Sequence, residues 1–265
     1  MAVLRTAPSS TGPGRYAREI ASALGPSAEL LSLLVDPKLE DQVADSRPVA
    51  GVRTGIYAVD AGVNSWWPRW AFRGLRAEWA GPDRGLEAVH YTALDVPPLD
   101  SGAIEVVSIL DSPRSYFDTG LYRARRRYRY TLRRRLPTYR RFRHVLALSD
   151  HVRRALVEDG FDGDVQSIPP PSSSAFRPGG NRDEIRRALG LPVGRTLVLS
   201  VSSDEPRKNL EAVRRTVEAQ GTSTRLVRVG PPLPGAITFA HVDEAQLAQI
   251  YRACDLLLFP TLEEG

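Results

Sequence analysis

Arg207 and Lys208 stand where an α/β chain can hold a diphosphate. They come after the apolar run Thr196–Val201 and, with Asn209, open the amphipathic stretch Leu210–Ala219. A helix N-terminus there offers backbone N–H groups and partial positive charge, and two cations add point charge and hydrogen bonds. Of the 36 basic residues, 34 are Arg and only Lys38 and Lys208 are Lys, so a lysine at this junction stands out. The plain alternative is an ordinary solvated first turn.

Three further groups could carry chemistry. Gly12 and Gly14, in Thr11-Gly12-Pro13-Gly14-Arg15, follow the first apolar run and let a backbone turn sharply and approach a ligand. A plain turn explains them equally well, since a dinucleotide fingerprint needs a third glycine and a downstream acid. Asp111 closes the apolar run Glu105–Leu110 and, with Ser112 and Pro113, reads as a helix start. Ligands of open α/β sheets bind beyond the carboxyl ends of strands, which would make Asp111 a hydrogen-bond acceptor. Glu263 and Glu264 follow the apolar run Asp255–Phe259, and one or the other would face the same space as Arg207 and Lys208. Exposed acids after a strand are also commonplace.

The elements that must position these residues alternate between short β-rich runs and helical periodicity, the pattern of a mostly parallel sheet covered by helices. Strands are expected at Ala2–Arg5, Leu30–Val35, Ala88–Tyr91, Glu105–Leu110, His144–Ser149 and Val165–Ile168. A second series is expected at Thr196–Val201, Thr224–Val229, Ile237–Phe239 and Asp255–Phe259. Helices are expected at Tyr16–Leu24, Val152–Glu158, Arg182–Leu189, Leu210–Ala219 and Glu244–Ala253, the last capped by Asp243. The tract from Pro169 through Ser174 to Pro178 sustains neither periodicity and is an extended connector. It divides the chain into an N-terminal domain, 1–169, and a C-terminal domain, 170–265.

Composition narrows the class. Hydrophobic residues at 42% and charged residues at 25% are those of a soluble globular protein. No apolar run approaches the ~20 residues needed to span a bilayer, and the N-terminus has no signal-peptide core. Cys254 is the single cysteine, which excludes an internal disulfide and fits a reducing cytoplasm; its apolar setting predicts a packing role. Four scattered His residues give no zinc pattern. The net charge of +5 is concentrated: eleven Arg and no acid lie between Arg123 and Arg143. Leu121, Ala124, Tyr128, Leu132 and Leu136 form one helical stripe beside them. That segment is either a solvated face or a peripheral contact with an anionic membrane. Nucleic acid is not expected, because no reading module accompanies the charges. Trp66, Trp67, Trp70, Phe72, Leu75 and Trp79 read as helix-to-sheet packing, with an apolar or sugar-binding groove as the minority reading.

Taken in order, these pieces resemble the retaining glycosyltransferases of family 4, which have the two-Rossmann GT-B fold. The resemblance runs through Ser10–Tyr16, the strand ending in Asp111, Ala147–His151, Ile168–Pro178, Ser200–Leu210 and Phe259–Gly265. It implies two Rossmann-like domains facing a cleft, the second incomplete, and transfer of a hexosyl group from a nucleoside-diphosphate sugar to an acceptor hydroxyl with retention. It assigns Arg207 and Lys208 to the donor diphosphate and Glu264, first glutamate of a Glu–seven residues–Glu motif, to the donor sugar. Gly12 and Gly14 would lie near the sugar and diphosphate. The acceptor would be a glycan, lipid or small molecule. No cofactor and no metal are implied beyond the sugar nucleotide as co-substrate.

Two departures qualify the expectation. Leu110 stands where the family usually has a histidine, and the motif's second glutamate would fall beyond Gly265. A C-terminally truncated fragment or a decayed copy is therefore expected. A non-catalytic nucleotide-sugar or partner-binding relative, and a basic anionic-surface or nucleic-acid-binding protein, are the alternatives.

Overall fold

A computed structural model describes residues 1–5, 12–34, 53–58, 87–92, 98, 102–111, 137, 140–170, 172–262 and 264. The tryptophan-rich stretch 64–85, Ser112, Pro113, Glu263 and most of the Arg-rich segment lie outside them. The chain forms two compact units, divided between Pro171 and Ser172.

The first unit is built on seven parallel strands: β1 (Ala2–Arg5), β2 (Glu29–Leu34), β3 (Arg53–Ala58), β4 (Ala88–Tyr91), β5 (Ile104–Ile109), β6 (His144–Ala147) and β7 (Asp164–Ser167). They lie in the order β3-β2-β1-β4-β5-β6-β7. Helix α1 (Gly12–Leu24) lays Ala17 and Ala21 against Val3 of β1. Helix α2 (Asp150–Glu158) starts at Ser149, whose Oγ accepts from Val152 N at 3.1 Å. That bond satisfies one of the N–H groups a helix leaves unpaired at its start.

The second unit has four parallel strands, β8 (Thr196–Val201), β9 (Thr224–Val229), β10 (Ile237–Phe239) and β11 (Leu256–Leu257), in the order β10-β9-β8-β11. Strand β8 is buried on both faces, which is why it reads as an unbroken apolar run rather than an alternation. Leu197 and Leu199 pack with Val227, Ile250 and Ala253 on one face. Val198 packs with Leu226, Val213 and Val217 on the other. Helices α3 (Arg182–Ala188) and α5 (Glu244–Ala253) serve the first face, and α4 (Leu210–Glu218) the second. Asp243 caps α5 as expected, its carboxylate accepting from Gln246 N at 2.7 Å. No described helix is long and apolar enough to cross a membrane.

The differences from the sequence reading are local. Helix α1 starts at Gly12, so Gly12 and Gly14 sit in its first turns instead of a loop before it, and neither has positive φ. Strand β3 was not foreseen; Gly55 interrupts its apolar pattern. Arg207 and Lys208 do not open α4. They end a 3-10 turn, Pro206–Lys208, and Asn209 at φ 52° and ψ 48° separates that turn from the helix. Strand β11 is two residues long where five were expected.

Candidate functional site

In each sheet the strand order reverses beside its first strand, between β1 and β4 and again between β8 and β11. Such switch points open a crevice at the carboxyl ends of the strands. In the second unit two segments leave the sheet there. The one after β8 carries Arg207 and Lys208, and the one after β11 carries Glu264.

The structure brings those three side chains together. Arg207 Nη1 donates to Glu264 Oε2 at 2.8 Å, and Lys208 Nζ donates to Glu264 Oε1. Thr261 Oγ1 lies 2.8 Å from Glu264 Oε1 and 3.1 Å from the Arg207 carbonyl. Arg207 Nε also donates to Glu205 Oε2 at 3.0 Å. The two basic side chains are only 12% exposed, so neither is a solvated surface cation. Lys208 Nζ also stands 5.5 Å from the centre of the Phe259 ring, within cation–π range.

Backbone bonds explain how the cluster is built. Leu262 N donates to the Arg207 carbonyl at 2.8 Å, and Asn209 Nδ2 donates to the Pro260 carbonyl at 3.2 Å. The second bond commits the Asn209 side chain to the far segment, so it does not cap α4. A left-handed residue costs energy unless it is Gly or, less so, Asn. Here it swings the two cations toward the end of β11. Burial opposes ionisation of Glu264, but hydrogen bonds from Lys208, Thr261 and Arg207 outweigh it and hold the carboxyl below its usual range.

The remaining expected residues lie in the first unit. Gly12 is exposed, and a Cβ there would meet nothing within 4 Å among the described residues. Gly14 is buried. Asp111, half-buried, follows the end of β5, with Leu110 between.

Several polar residues escaped the sequence reading. At the carboxyl end of the first sheet, Ser108 Oγ lies 2.7 Å from His90 Nε2 and 2.9 Å from the Tyr16 hydroxyl. All three are buried, and desolvation pushes the His90 pKa down to about 4. At the opposite end of the second sheet, Asp255 accepts from Arg182, Arg186 and Leu197 N. Arg228, fully buried in β9, is the third. Each breaks an apolar pattern, the one signal available beforehand. Cys254 is buried as expected, and desolvation pushes its thiol pKa up to about 12.

No family model and no curated protein sequence matches the chain. Solved structures do. Sucrose-phosphate synthase from Thermosynechococcus elongatus is 17% identical at a TM-score of 0.72, over 99% of this chain and 75% of that one. WaaG, a glycosyltransferase involved in lipopolysaccharide biosynthesis, is 19% identical at 0.70, over 98% and 75%. Anabaena HepE, solved in complex with UDP and glucose, is 15% identical at 0.65, over 97% and 72%. The likeness establishes the fold as GT-B, with Rossmann-like units, and the chain spans about three-quarters of those proteins' length.

Proposed function

We propose that the protein transfers a sugar from a nucleoside-diphosphate donor to an acceptor hydroxyl, with retention at the anomeric carbon. The observation that carries this reading is the convergence of Arg207, Lys208 and Glu264 on the switch point of the second sheet. The fold it occurs in is shared with WaaG, a glycosyltransferase, and with HepE, solved with UDP and glucose.

As the glycosidic bond breaks, the leaving diphosphate gains negative charge. Half-buried cations already in place stabilise that charge more in the transition state than in the ground state. Glu264, oriented by the same two cations, is assigned to the hydroxyls of the transferred sugar. Gly12 and Gly14 are assigned to the sugar and diphosphate. Asp111 is assigned to an acceptor or sugar hydroxyl. The acceptor, a glycan, lipid or small molecule, is left to the first unit. No metal or cofactor is assigned a part.

The test is binding of UDP, ADP and GDP by calorimetry. One of them should bind, and Arg207→Ala or Lys208→Ala should weaken it by tenfold or more, with about 3 kcal/mol added to the transfer barrier where turnover is measured. Equal affinity in wild type and both variants would sink the reading. Leu110, beside Asp111, favours a second reading: a non-catalytic sugar-nucleotide binder. It predicts the same affinities but no release of sugar from any donor.

A further inference from the structure

Arg228 is the penultimate residue of β9, a strand flanked by β8 and β10. Its side chain is fully shielded from solvent. A buried guanidinium is costly unless its N–H donors and its charge are met. Among the described residues no carboxylate forms an ion pair with it, and Asp204 offers only a more distant attraction. Carbonyls and hydroxyls meet it instead. Nε donates to the Pro231 carbonyl at 3.2 Å, and Nη1 to the Val229 carbonyl and to Ser202 Oγ, both at 3.1 Å. Nη1 also reaches the Ser200 carbonyl at 3.3 Å, and Nη2 donates to the Ser202 carbonyl.

All these acceptors lie at the carboxyl ends of β8 and β9 or in the turns just past them. Register pairing of the two strands already runs to Val201 and Val229, so the sheet is complete without this tie. What the guanidinium adds lies beyond the last pair, at Ser202 and Pro231. Gly230 belongs to the same device. With φ at +129°, it passes so near that a Cβ would stand 2.3 Å from the Ser202 carbonyl and 3.0 Å from Arg228 Nη2. From Ser202 the chain continues through Glu205 to Arg207 and Lys208.

We propose that Arg228 is a positioning residue for the diphosphate cluster: it fixes the direction in which Ser202–Lys208 leaves the sheet, so that Arg207 and Lys208 meet an anion already placed. The idea rests on the function proposed above. A loop held in its binding conformation has less order to gain on binding, and anion affinity rises accordingly.

The experiment uses the full chain as wild type, Arg228→Lys, Arg228→Met, Gly230→Ala and Val213→Ala, the last a buried control in α4. Hydrogen exchange of the unliganded proteins is read at residues 203–208, and inorganic pyrophosphate is titrated into each. Exchange in that loop should quicken by about tenfold or more in Arg228→Met and Gly230→Ala, but not in Val213→Ala. Pyrophosphate affinity should fall by about tenfold or more in the same two variants, with Arg228→Lys intermediate. Loop exchange in Arg228→Met matching that of Val213→Ala overturns the role of Arg228. Absence of pyrophosphate binding in wild type overturns the diphosphate reading instead, and the exchange measurement tells the two failures apart. Should Arg228→Met not fold, Arg228→Lys and Gly230→Ala decide between the same outcomes.

Discussion

Glu264 is an acid held by two cations that also have a proposed ligand, and this dual use makes a sharp expectation at the residue scale. On the proposed function, its carboxylate and the donor's phosphates would draw on the same positive charge, carried by side chains only 12% exposed. Neutralising it as Glu264→Gln should raise affinity for inorganic pyrophosphate several-fold, because an internal competitor is removed. The same change should lower sugar transfer, because the group assigned to the sugar hydroxyls is lost. Calorimetry and turnover on one preparation measure both; a fall in pyrophosphate affinity would contradict the shared-charge argument. The pH dependence has a definite sign. Since the folded-state pKa lies below the ordinary glutamate value, the cluster's contribution to stability is present above that value. It is lost as pH falls through the depressed pKa.

Among the elements, Asp255 is a fastening that joins a helix to a strand. It ties α3, through Arg182 and Arg186, to the first strand of the second unit through Leu197 N. The Arg186 side chain is nearly closed to solvent, 6% exposed, and Arg186 Nε is further held by the Ala253 carbonyl. Asp255→Ala would leave that buried cation without a counter-charge, a change that costs about 3–5 kcal/mol. Arg182 is 56% exposed, so Arg182→Ala should cost under about 1 kcal/mol. Urea denaturation of both variants checks the difference, and equal losses would mean that the pair to Arg186 contributes nothing special. Sequence reading located the elements themselves, because buried parallel strands are apolar runs and amphipathic helices carry their own period. It singled out Arg207, Lys208 and Glu264, which the structure brings together, but not how they meet. The left-handed Asn209 depends on a carbonyl 51 positions away, and the Arg228 tie and the Asp255 fastening likewise join residues distant in sequence. Local periodicity carries no trace of such partners.

At the scale of the whole molecule, the two units have separate cores, and acid should act on them unequally. His90 in the first unit is buried beside Tyr16 and Ser108, and its pKa of about 4 lies below the ordinary histidine value of 6.5. The unfolded chain therefore binds a proton that the folded one refuses, and stability falls as pH drops from 6.5 toward 4. That shift corresponds to about 3 kcal/mol over the interval. The second unit's shifted carboxylates, Glu211, Asp255 and Glu264, have depressed values and stay charged across most of that window. Burial opposes ionisation of Asp255, but the Leu197 N–H and the guanidinium groups of Arg186 and Arg182 outweigh it. Between pH 6.5 and 5, hydrogen exchange should accelerate beyond its intrinsic pH dependence in β1, β4 and β5, while β8 and β9 stay protected. His90→Gln removes the titrating group and should flatten the response, although losing the fitted ring lowers stability at every pH. If the first sheet kept full protection at pH 5, or loosened equally with Gln at position 90, the buried histidine would not be the cause.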